Sequence, residues 1–222
     1  IAPAARGFAG GDRMPSVEEI DAACGPAARV RFAPAAPRPR RGDDRVAYDT
    51  AITERGEVPT REGSWHDLMN ALVWAAFPRS KRALHALQAR YVAETRGTGR
   101  RTPPHDALAI LDEGGVLVCA RAPLDGEGAI ARALDDGSAR IVPFGHAIYE
   151  SVAIRAPRPL VRARALVGPP GLDEAGLVAA ADAALAEVIA RGDLARTPKD
   201  LPCITLERVF GETPERPPVS AS

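Results

Sequence analysis

Apolar residues recur at helical spacing through the middle of the chain. Residues 64–77 are apolar nearly all round the predicted helix, with Ser64 at the N-cap position and Asp67 at the third helical position forming an approximate capping box. Pro78 disfavours helical geometry in the residue before it, so this helix ends there and a second one follows at residues 79–94. A helix that is apolar all round is typical of a buried element. We therefore expect residues 64–77 to form a central helix.

Shorter apolar runs predict strands. Residues 107–121 contain two apolar runs joined by Asp-Glu-Gly-Gly, and they predict a hairpin because glycine supplies the positive φ of a tight turn. Residues 160–167 alternate apolar side chains with arginine, the period of a half-buried strand. The remaining predicted elements are a helix at 16–24 with a capping box from Ser16 to Glu19, Pro- and Arg-rich coil after it, a short strand at 46–49, a helix at 126–134, a strand at 140–144, a helix at 146–154 and an Ala-rich helix from Asp173 to near Gly192.

This mixture of elements predicts an α+β fold in a single domain. We expect a small central β-sheet packed against the buried central helix and further helices. The length of 222 residues suits one domain with a full hydrophobic core and is short for two. Within the domain we expect an N-terminal helix and Pro/Arg-rich coil at residues 1–45, the α+β core at 46–211 and a disordered tail at 212–222.

Composition narrows the class of protein. Apolar residues make up 45% and charged residues 26%, an ordinary globular mixture, and no apolar run is long enough to span a bilayer. The 29 basic and 29 acidic residues balance, so we expect no nucleic-acid partner. The 3 cysteines are far apart and form no Cys-x-x-Cys pair, which favours a reducing cytoplasm. The first residues show neither an initiator Met nor a signal core, and we treat them as a trimmed start.

Polar residues with reactive groups gather near the start of the central helix. His66, Asp67 and Asn70, the single Asn of the chain, enter or border the predicted core. An unpaired buried amide costs about 1 to 3 kcal/mol, so these groups need partners. We predict that His66 and Asp67 are acid/base groups or metal ligands and that Asn70 orients one of them. The alternatives are that Asp67 only caps its helix and that core backbone groups satisfy His66 and Asn70.

Two cations begin the second helix. Arg79 and Lys81, one of 2 lysines, lie where the helix dipole disfavours positive charge, so they predict an external anion or a neighbouring carboxylate. Solvated surface charge is the alternative for each of them. Asp112 and Glu113 flank the predicted hairpin turn and are secondary candidates, because Asp-Glu-Gly-Gly is common in turns for conformational reasons alone.

A second pair of candidates lies further along the chain. His146 and Glu150 are one helical turn apart, directly after Gly145, and this spacing can place both side chains on one metal ion or one substrate. An exposed His–Glu pair is the alternative. The candidate metal ligands are therefore His66, Asp67, His146 and Glu150.

Several separated motifs, in order, resemble one bacterial family. They are Tyr48-Asp49-Thr50, Val58-Pro59-Thr60-Arg61, the run Ser-Trp-His-Asp-Leu-Met-Asn-Ala-Leu-Val-Trp at 64–74, Phe-Pro-Arg-Ser-Lys at 77–81, Asp106 with Leu-Asp-Glu-Gly-Gly at 111–115, and Phe-Gly-His-Ala-Ile-Tyr-Glu at 144–150. The resemblance is to the domain-of-unknown-function family DUF3025 and covers residues 48–167. The family usually has Asn before the Trp and an aromatic residue in place of Met69, and neither departure removes a reactive group. Because the family has no established activity, the resemblance implies no mechanism.

The residue types favour two kinds of function. The first hypothesis is a small hydrolase-like or phosphoester-handling enzyme, with a divalent metal as candidate cofactor and a small anionic ligand. Its catalytic set is His66, Asp67, Asn70, His146 and Glu150, with Arg79 and Lys81 holding the anion. The alternative is a non-catalytic module that binds a small anion or a protein partner, with the polar cluster serving as a buried structural network. No P-loop, nucleophile elbow, zincin helix or dinucleotide fingerprint is present to decide between them.

Overall fold

A computed structural model of the chain describes residues 5–8, 13–36, 44–95, 101–153 and 161–205. The predicted α+β fold is confirmed. In the described ranges the helices are α1 (Val17–Ala28), α2 (Asp44–Arg55), α3 (Trp65–Ala76), α4 (Pro78–Glu94), α5 (Pro103–Gly114), α6 (Gly126–Asp135), α7 (His146–Ala153) and α8 (Glu174–Ala190), with short 3-10 turns at Arg6–Phe8 and Pro198–Asp200. The strands are β1 (Arg31–Pro34), β2 (Glu57–Thr60), β3 (Gly115–Ala120), β4 (Ala139–Pro143), β5 (Val161–Val167) and β6 (Cys203–Ile204).

The strands form two separate sheets. β1 and β2 pair in parallel, with Arg31 opposite Glu57. The larger sheet has the order β4-β3-β5-β6, and β3 pairs antiparallel with β4 and parallel with β5. All six residues of β3 are buried, as expected for a strand covered on both faces. The four-stranded sheet is therefore the small central sheet of the fold.

The central helix predicted at residues 64–77 is α3. Its residues 68–74 are all buried, and the Ser64 side chain accepts a hydrogen bond from the Asp67 amide at 3.2 Å. α3 packs chiefly against α1 and α7. Val73 reaches the hydrophobic cluster that includes Leu117 of β3, so the helix is also joined to the core of the sheet. None of the described helices is long and apolar enough to cross a membrane.

The predicted hairpin at residues 107–121 is wrong. Its first half lies in α5, and only residues 115–120 form a strand. Thr102 caps α5 by accepting from the His105 amide, and a proline in the first turn suits a helix start. Leu108 and Leu111 are then three positions apart on one buried helical face. The apolar run therefore follows a helical period, and Asp112 and Glu113 lie in the last turn of a helix.

The predicted strand at residues 46–49 is also wrong, because these residues belong to α2. The helical spacing lets Tyr48 and Ile52 face one hydrophobic cluster. The helix predicted at 16–24 has the expected capping box but continues to Ala28, and β1 follows within the stretch predicted as coil. The other predicted helices and strands are confirmed with ends shifted by a few residues. The tail at 212–222 lies outside the described residues.

Gly145 lies at a close contact between two backbone segments. A Cβ built on Gly145 falls 2.4 Å from the Glu113 carbonyl oxygen and 2.5 Å from the Gly115 nitrogen. The Gly145 amide donates a hydrogen bond to the Gly115 carbonyl at 2.8 Å. Only a residue without a side chain fits this contact, and the contact brings the start of α7, at His146, beside the end of α5.

We expect Gly145→Ala to lower the free energy of unfolding by about 1 to 3 kcal/mol, because the added methyl meets backbone atoms that have little room to move. Gly168→Ala is the matched control, since a Cβ there has no atom within 4 Å. The control is expected to change stability by less than about 0.5 kcal/mol. Urea unfolding followed by circular dichroism measures both, and equal losses in the two variants contradict the steric argument.

Candidate functional site

The two predicted histidines face each other where two helices begin. His66 lies in the first turn of α3, and His146 is the first residue of α7, which packs against α3. Their Nε2 atoms are 3.0 Å apart, and the rings meet edge to face with centroids 4.4 Å apart. The structure therefore brings together two imidazoles that are 80 residues apart in the chain.

Two carboxylates flank this pair in different ways. Glu113 Oε2 lies 3.4 Å from His146 Nε2, beside the point where the two rings meet. Glu150 Oε2 instead lies 3.0 Å from Nδ1 of His66, on the opposite edge of that ring. An imidazole that donates its Nδ1–H to a carboxylate presents a lone pair on Nε2. Glu150 thus orients the His66 ring, and the carboxylate beside the two facing nitrogens belongs to Glu113, a secondary candidate in the sequence analysis, and not to the candidate metal ligands Asp67 and Glu150.

The donor atoms of His66, Glu113 and His146 all lie within 4.8 Å of one another. Two imidazole nitrogens and one carboxylate oxygen form a ligand set of catalytic zinc sites, where ligands at about 2.0 to 2.2 Å from the metal lie roughly 3 to 4 Å apart. A ligating histidine whose second nitrogen bonds a carboxylate, as His66 bonds Glu150, is the usual outer arrangement of such sites. No other group of this kind occurs in the part of the chain that the structure describes.

Burial sets the charge of these groups. Burial lowers the pKa of His146 to about 3, with the negative charge of Asp112 opposing the shift and the positive charge of Lys81 adding to it. His146 is therefore neutral near pH 7, the form in which imidazole binds metals. Partial burial raises the pKa of Glu113, and the negative charge of Asp112 adds to the effect. A cation between the three side chains relieves this unfavourable field.

A buried ion pair lies next to the candidate metal ligands. The Lys81 side chain has no exposed surface, and its Nζ bonds Asp112 Oδ1 at 2.5 Å and Asn70 Oδ1 at 2.8 Å. Nδ2 of Asn70 donates to the Tyr48 hydroxyl at 3.1 Å, and Lys81 Nζ lies 5.6 Å from the centre of the Trp74 ring. Burial is the largest single influence on the pKa of Asp112 and raises it, but the lowering influences, led by the positive charge of Lys81, together hold that pKa well below the usual range.

The structure places Arg79 away from the candidate metal ligands. Arg79 is exposed in the first turn of α4, where its amide and that of Ser80 donate to the Asp182 carboxylate at 3.2 and 2.8 Å. One alternative from the sequence is a carboxylate near the start of α4. Asp182 is that carboxylate, and it accepts from the backbone amides there. The carboxylate beside Lys81 is Asp112. Holding an external anion stays a prediction for Arg79 and Lys81.

Asp67 is bonded to an arginine and is not one of the three residues whose donor atoms could together hold a metal ion. Its carboxylate accepts from Nη2, Nε and the backbone amide of Arg61 at 2.7, 2.9 and 2.7 Å. Its own amide donates to Ser64, as the capping alternative requires. Burial opposes ionisation of Asp67, but the bonds from Arg61 lower its pKa overall. The carboxylate is thus held as an anion that is already paired.

A cleft of about 590 Å³ opens beside the candidate metal ligands. His66, Glu113 and His146 line it, and so do Asn70 and Tyr48. Its volume lies within the range of about 300 to 1,000 Å³ typical of small-molecule sites. A cation held by the three ligands is therefore accessible to a bound molecule.

The sequence analysis missed or underrated several of these residues. Glu113 is a secondary candidate in the sequence because the Asp-Glu-Gly-Gly run predicts a hairpin turn, and His85, which bonds Asp49 at 3.1 Å, is not among the predicted site residues. The sequence does contain one indication of these residues, because Glu113 and Tyr48 both lie within the motifs that resemble the family. Nothing local in the sequence identifies Asp182 as the partner of the α4 start.

Comparison with known proteins identifies a family but no activity. A family model described as "Protein of unknown function (DUF3025)" matches residues 30–217. The match includes every residue of the candidate site. No curated protein and no solved structure matches the chain. The interpretation of the site therefore depends on its geometry.

We expect Lys81→Met to lower the free energy of unfolding by about 3 to 5 kcal/mol, because it leaves the Asp112 carboxylate buried without its partner. In a double-mutant cycle, Asp112→Asn added to Lys81→Met is expected to cost much less than Asp112→Asn alone. Arg31→Met is the control, since the Arg31 side chain is 60% exposed and pairs with Glu57 at the surface. It is expected to cost at most about 1 kcal/mol. Additive effects of the Lys81 and Asp112 substitutions in urea unfolding contradict a buried pair.

Proposed function

The chain belongs to the DUF3025 family, and we propose that it is a metal-dependent hydrolase in which His66, His146 and Glu113 bind one divalent cation. One observation carries this proposal. The Nε2 atoms of the two histidines face each other at 3.0 Å, while the other nitrogen of His66 is held by Glu150. A carboxylate oxygen of Glu113 lies 3.4 Å from His146 Nε2 and within 4.8 Å of the donor nitrogen of His66.

The donor set fits a cation better than a hydrogen bond alone. With its Nδ1–H directed at Glu150, His66 presents an Nε2 lone pair, and Glu113 presents a carboxylate oxygen. A single N–H on His146 can satisfy only one of these acceptors well. A metal ion accepts lone pairs from all three side chains at once. The low pKa of His146, which burial causes, keeps its ring neutral and able to bind.

The proposed chemistry follows from the ligand count. A divalent cation held by His66, Glu113 and His146 would have room for a water molecule and would lower the pKa of that water to about 7. Glu150 fixes the tautomer and orientation of His66, and outer partners of this kind strengthen metal binding. Tyr48 and Asn70 line the cleft, so the hydrogen-bond network around Lys81 forms part of the wall beside the proposed metal site.

The charges of the cleft favour an uncharged ester or amide group, rather than a phosphoester group, as the group that is hydrolysed. Two arginines line its described wall, and each is bonded to a carboxylate: Arg55 to Glu57 at 3.0 Å and Arg61 to Asp67 at 2.7 Å. A phosphoester must compete with these carboxylates for the guanidinium groups. Hydrolysis of an ester or amide requires only the metal-bound water and polarisation of the carbonyl.

The alternative that the polar residues form a buried structural network is supported for the residues around Lys81. Lys81, Asp112, Asn70 and Tyr48 form a chain of hydrogen bonds around a fully buried ammonium group. Such a network fixes the packing of helices without any ligand. We assign these residues to stability, and His66, Glu113 and His146 to metal binding.

We expect the wild-type protein, purified without chelator, to bind one Zn²⁺ per chain in elemental analysis and calorimetry. Glu150→Gln is expected to weaken Zn²⁺ binding by about 10- to 100-fold because it removes the outer partner of a ligand. His66→Ala and His146→Ala are expected to lose more than this. His105→Gln is the matched histidine control and is expected to bind Zn²⁺ normally. Circular dichroism confirms folding of each variant.

The reaction class is tested with p-nitrophenyl carboxylic esters and p-nitrophenyl phosphate. We expect Zn²⁺-dependent turnover of an ester that folded His66→Ala loses, and weaker turnover of the phosphate. A wild-type protein that binds no Zn²⁺, Mn²⁺ or Fe²⁺ after metal is added back contradicts the proposal. Normal Zn²⁺ binding by folded His66→Ala contradicts the ligand assignment.

A further inference from the structure

A second cavity, of about 570 Å³, shares part of its wall with the metal-site cleft. Tyr48, Asp112 and Glu113 line both spaces. Two further residues of the second cavity, Asp49 of α2 and His85 of α4, are not part of the proposed metal site. A molecule bound in this cavity therefore lies next to Glu113, a proposed metal ligand.

The His85 ring is fixed by contacts on several sides. Its Nδ1 lies 3.1 Å from Asp49 Oδ1, and both residues are buried. The ring stacks on Trp74 with an interplanar angle of 6° and meets the Tyr48 ring edge to face. Its other nitrogen, Nε2, is buried and has no hydrogen-bond partner among the described residues. Buried polar atoms almost always have a partner, so His85 Nε2 is a position that a hydrogen-bonding group, from a water molecule or from a bound ligand, is expected to fill.

The charges that line the cavity indicate which kind of group would bind to His85 Nε2. The described lining carries four carboxylates, on Asp49, Asp106, Asp112 and Glu113, and one guanidinium, on Arg101, which pairs with Asp106 at 3.7 Å. Lys81 already pairs with Asp112, and Arg101 with Asp106. Among the described residues, the carboxylates of Asp49 and Glu113 therefore remain without a paired Lys or Arg, and they favour a cationic ligand. An imidazole that donates Nδ1–H to a carboxylate accepts a hydrogen bond at Nε2. Both features select a group that is positively charged and donates hydrogen bonds.

We propose that this second cavity binds the ammonium or guanidinium group of the molecule whose ester or amide bond is hydrolysed at the metal centre. His85 accepts a hydrogen bond from that group, and Asp49 is the positioning residue that holds the His85 ring. The identification of the ligand as a substrate rests on the proposed function. Binding of the cation itself does not, because neither His85 nor Asp49 is a proposed metal ligand.

The chain contains 4 histidines, which makes the test direct. The imidazole ¹⁵N signals are assigned by comparing wild type with single histidine variants. Chelator-treated, ¹⁵N-histidine-labelled wild-type protein is then titrated with n-butylammonium and separately with butyrate, an anion of similar length. We expect a saturable shift of the His85 Nε2 signal with n-butylammonium and with methylguanidinium, and no shift with butyrate.

Two variants sharpen the test. Asp49→Asn is expected to abolish the saturable His85 shift while leaving Zn²⁺ binding at His66 and His146 unchanged. Asp193→Asn is the control carboxylate, since the Asp193 side chain is 67% exposed and pairs with Arg191 away from the cavity lining. It is expected to show the wild-type shift.

The outcomes separate this inference from the proposed function. No His85 shift with n-butylammonium, or an equal shift with butyrate, overturns the cation site even when Zn²⁺ binds normally. A saturable n-butylammonium shift without any Zn²⁺ binding supports the cation site and overturns the metal-dependent hydrolase. When both ligands bind, esters that carry an ammonium group are expected to be hydrolysed faster than matched neutral esters, and the opposite order overturns the link between the two sites.

Discussion

The buried ion pair between Lys81 and Asp112 is the interaction on which the rest of the polar cluster depends. The Lys81 ammonium has no exposed surface, and an unpaired charge at such a position is strongly destabilising. Asp112 meets it from the end of α5, and Asn70 meets it from α3. Because Asp112 directly precedes Glu113, the position of the lysine also fixes the segment that carries a proposed metal ligand.

The proposed metal ligands come from three separate segments, and each segment is positioned by a different local device. The Ser64 cap begins α3 just before His66. The last turn of α5 carries Glu113 beside the ion pair. The contact of Gly145 with the backbone of Glu113 brings His146 to the same place. The Ser64 cap, the buried ion pair and the close backbone contact at Gly145 are all needed to bring His66, Glu113 and His146 together. None of the three determines this arrangement alone.

Local signals made part of this arrangement predictable from the sequence. The Ser64 cap and the all-apolar run after it predict α3, and the residue types of His66 and His146 mark them as candidates. The run ending at Leu111 fits a buried strand and a buried helix almost equally well, so the helical position of Glu113 was not accessible. His85 and Asp49 are 36 positions apart and have no shared local pattern. The contact between His85 and Asp49 forms only in the folded chain. The same is true of the hydrogen bond by which Glu150 orients His66.

The shared wall of the two cavities links their ligands through charge. Partial burial and the negative charges of Asp112 and Glu150 raise the pKa of Glu113, and because its side chain is 54% exposed, solvent screens part of this unfavourable field. A divalent cation at the histidines and an ammonium group near His85 both compensate this negative field. Each cation therefore lowers the electrostatic benefit that remains for the other, and by linkage the effect is equal in both directions. Under the proposed function, this wall would attract the cationic group of the substrate most strongly while the metal site is empty and less strongly once the metal is bound.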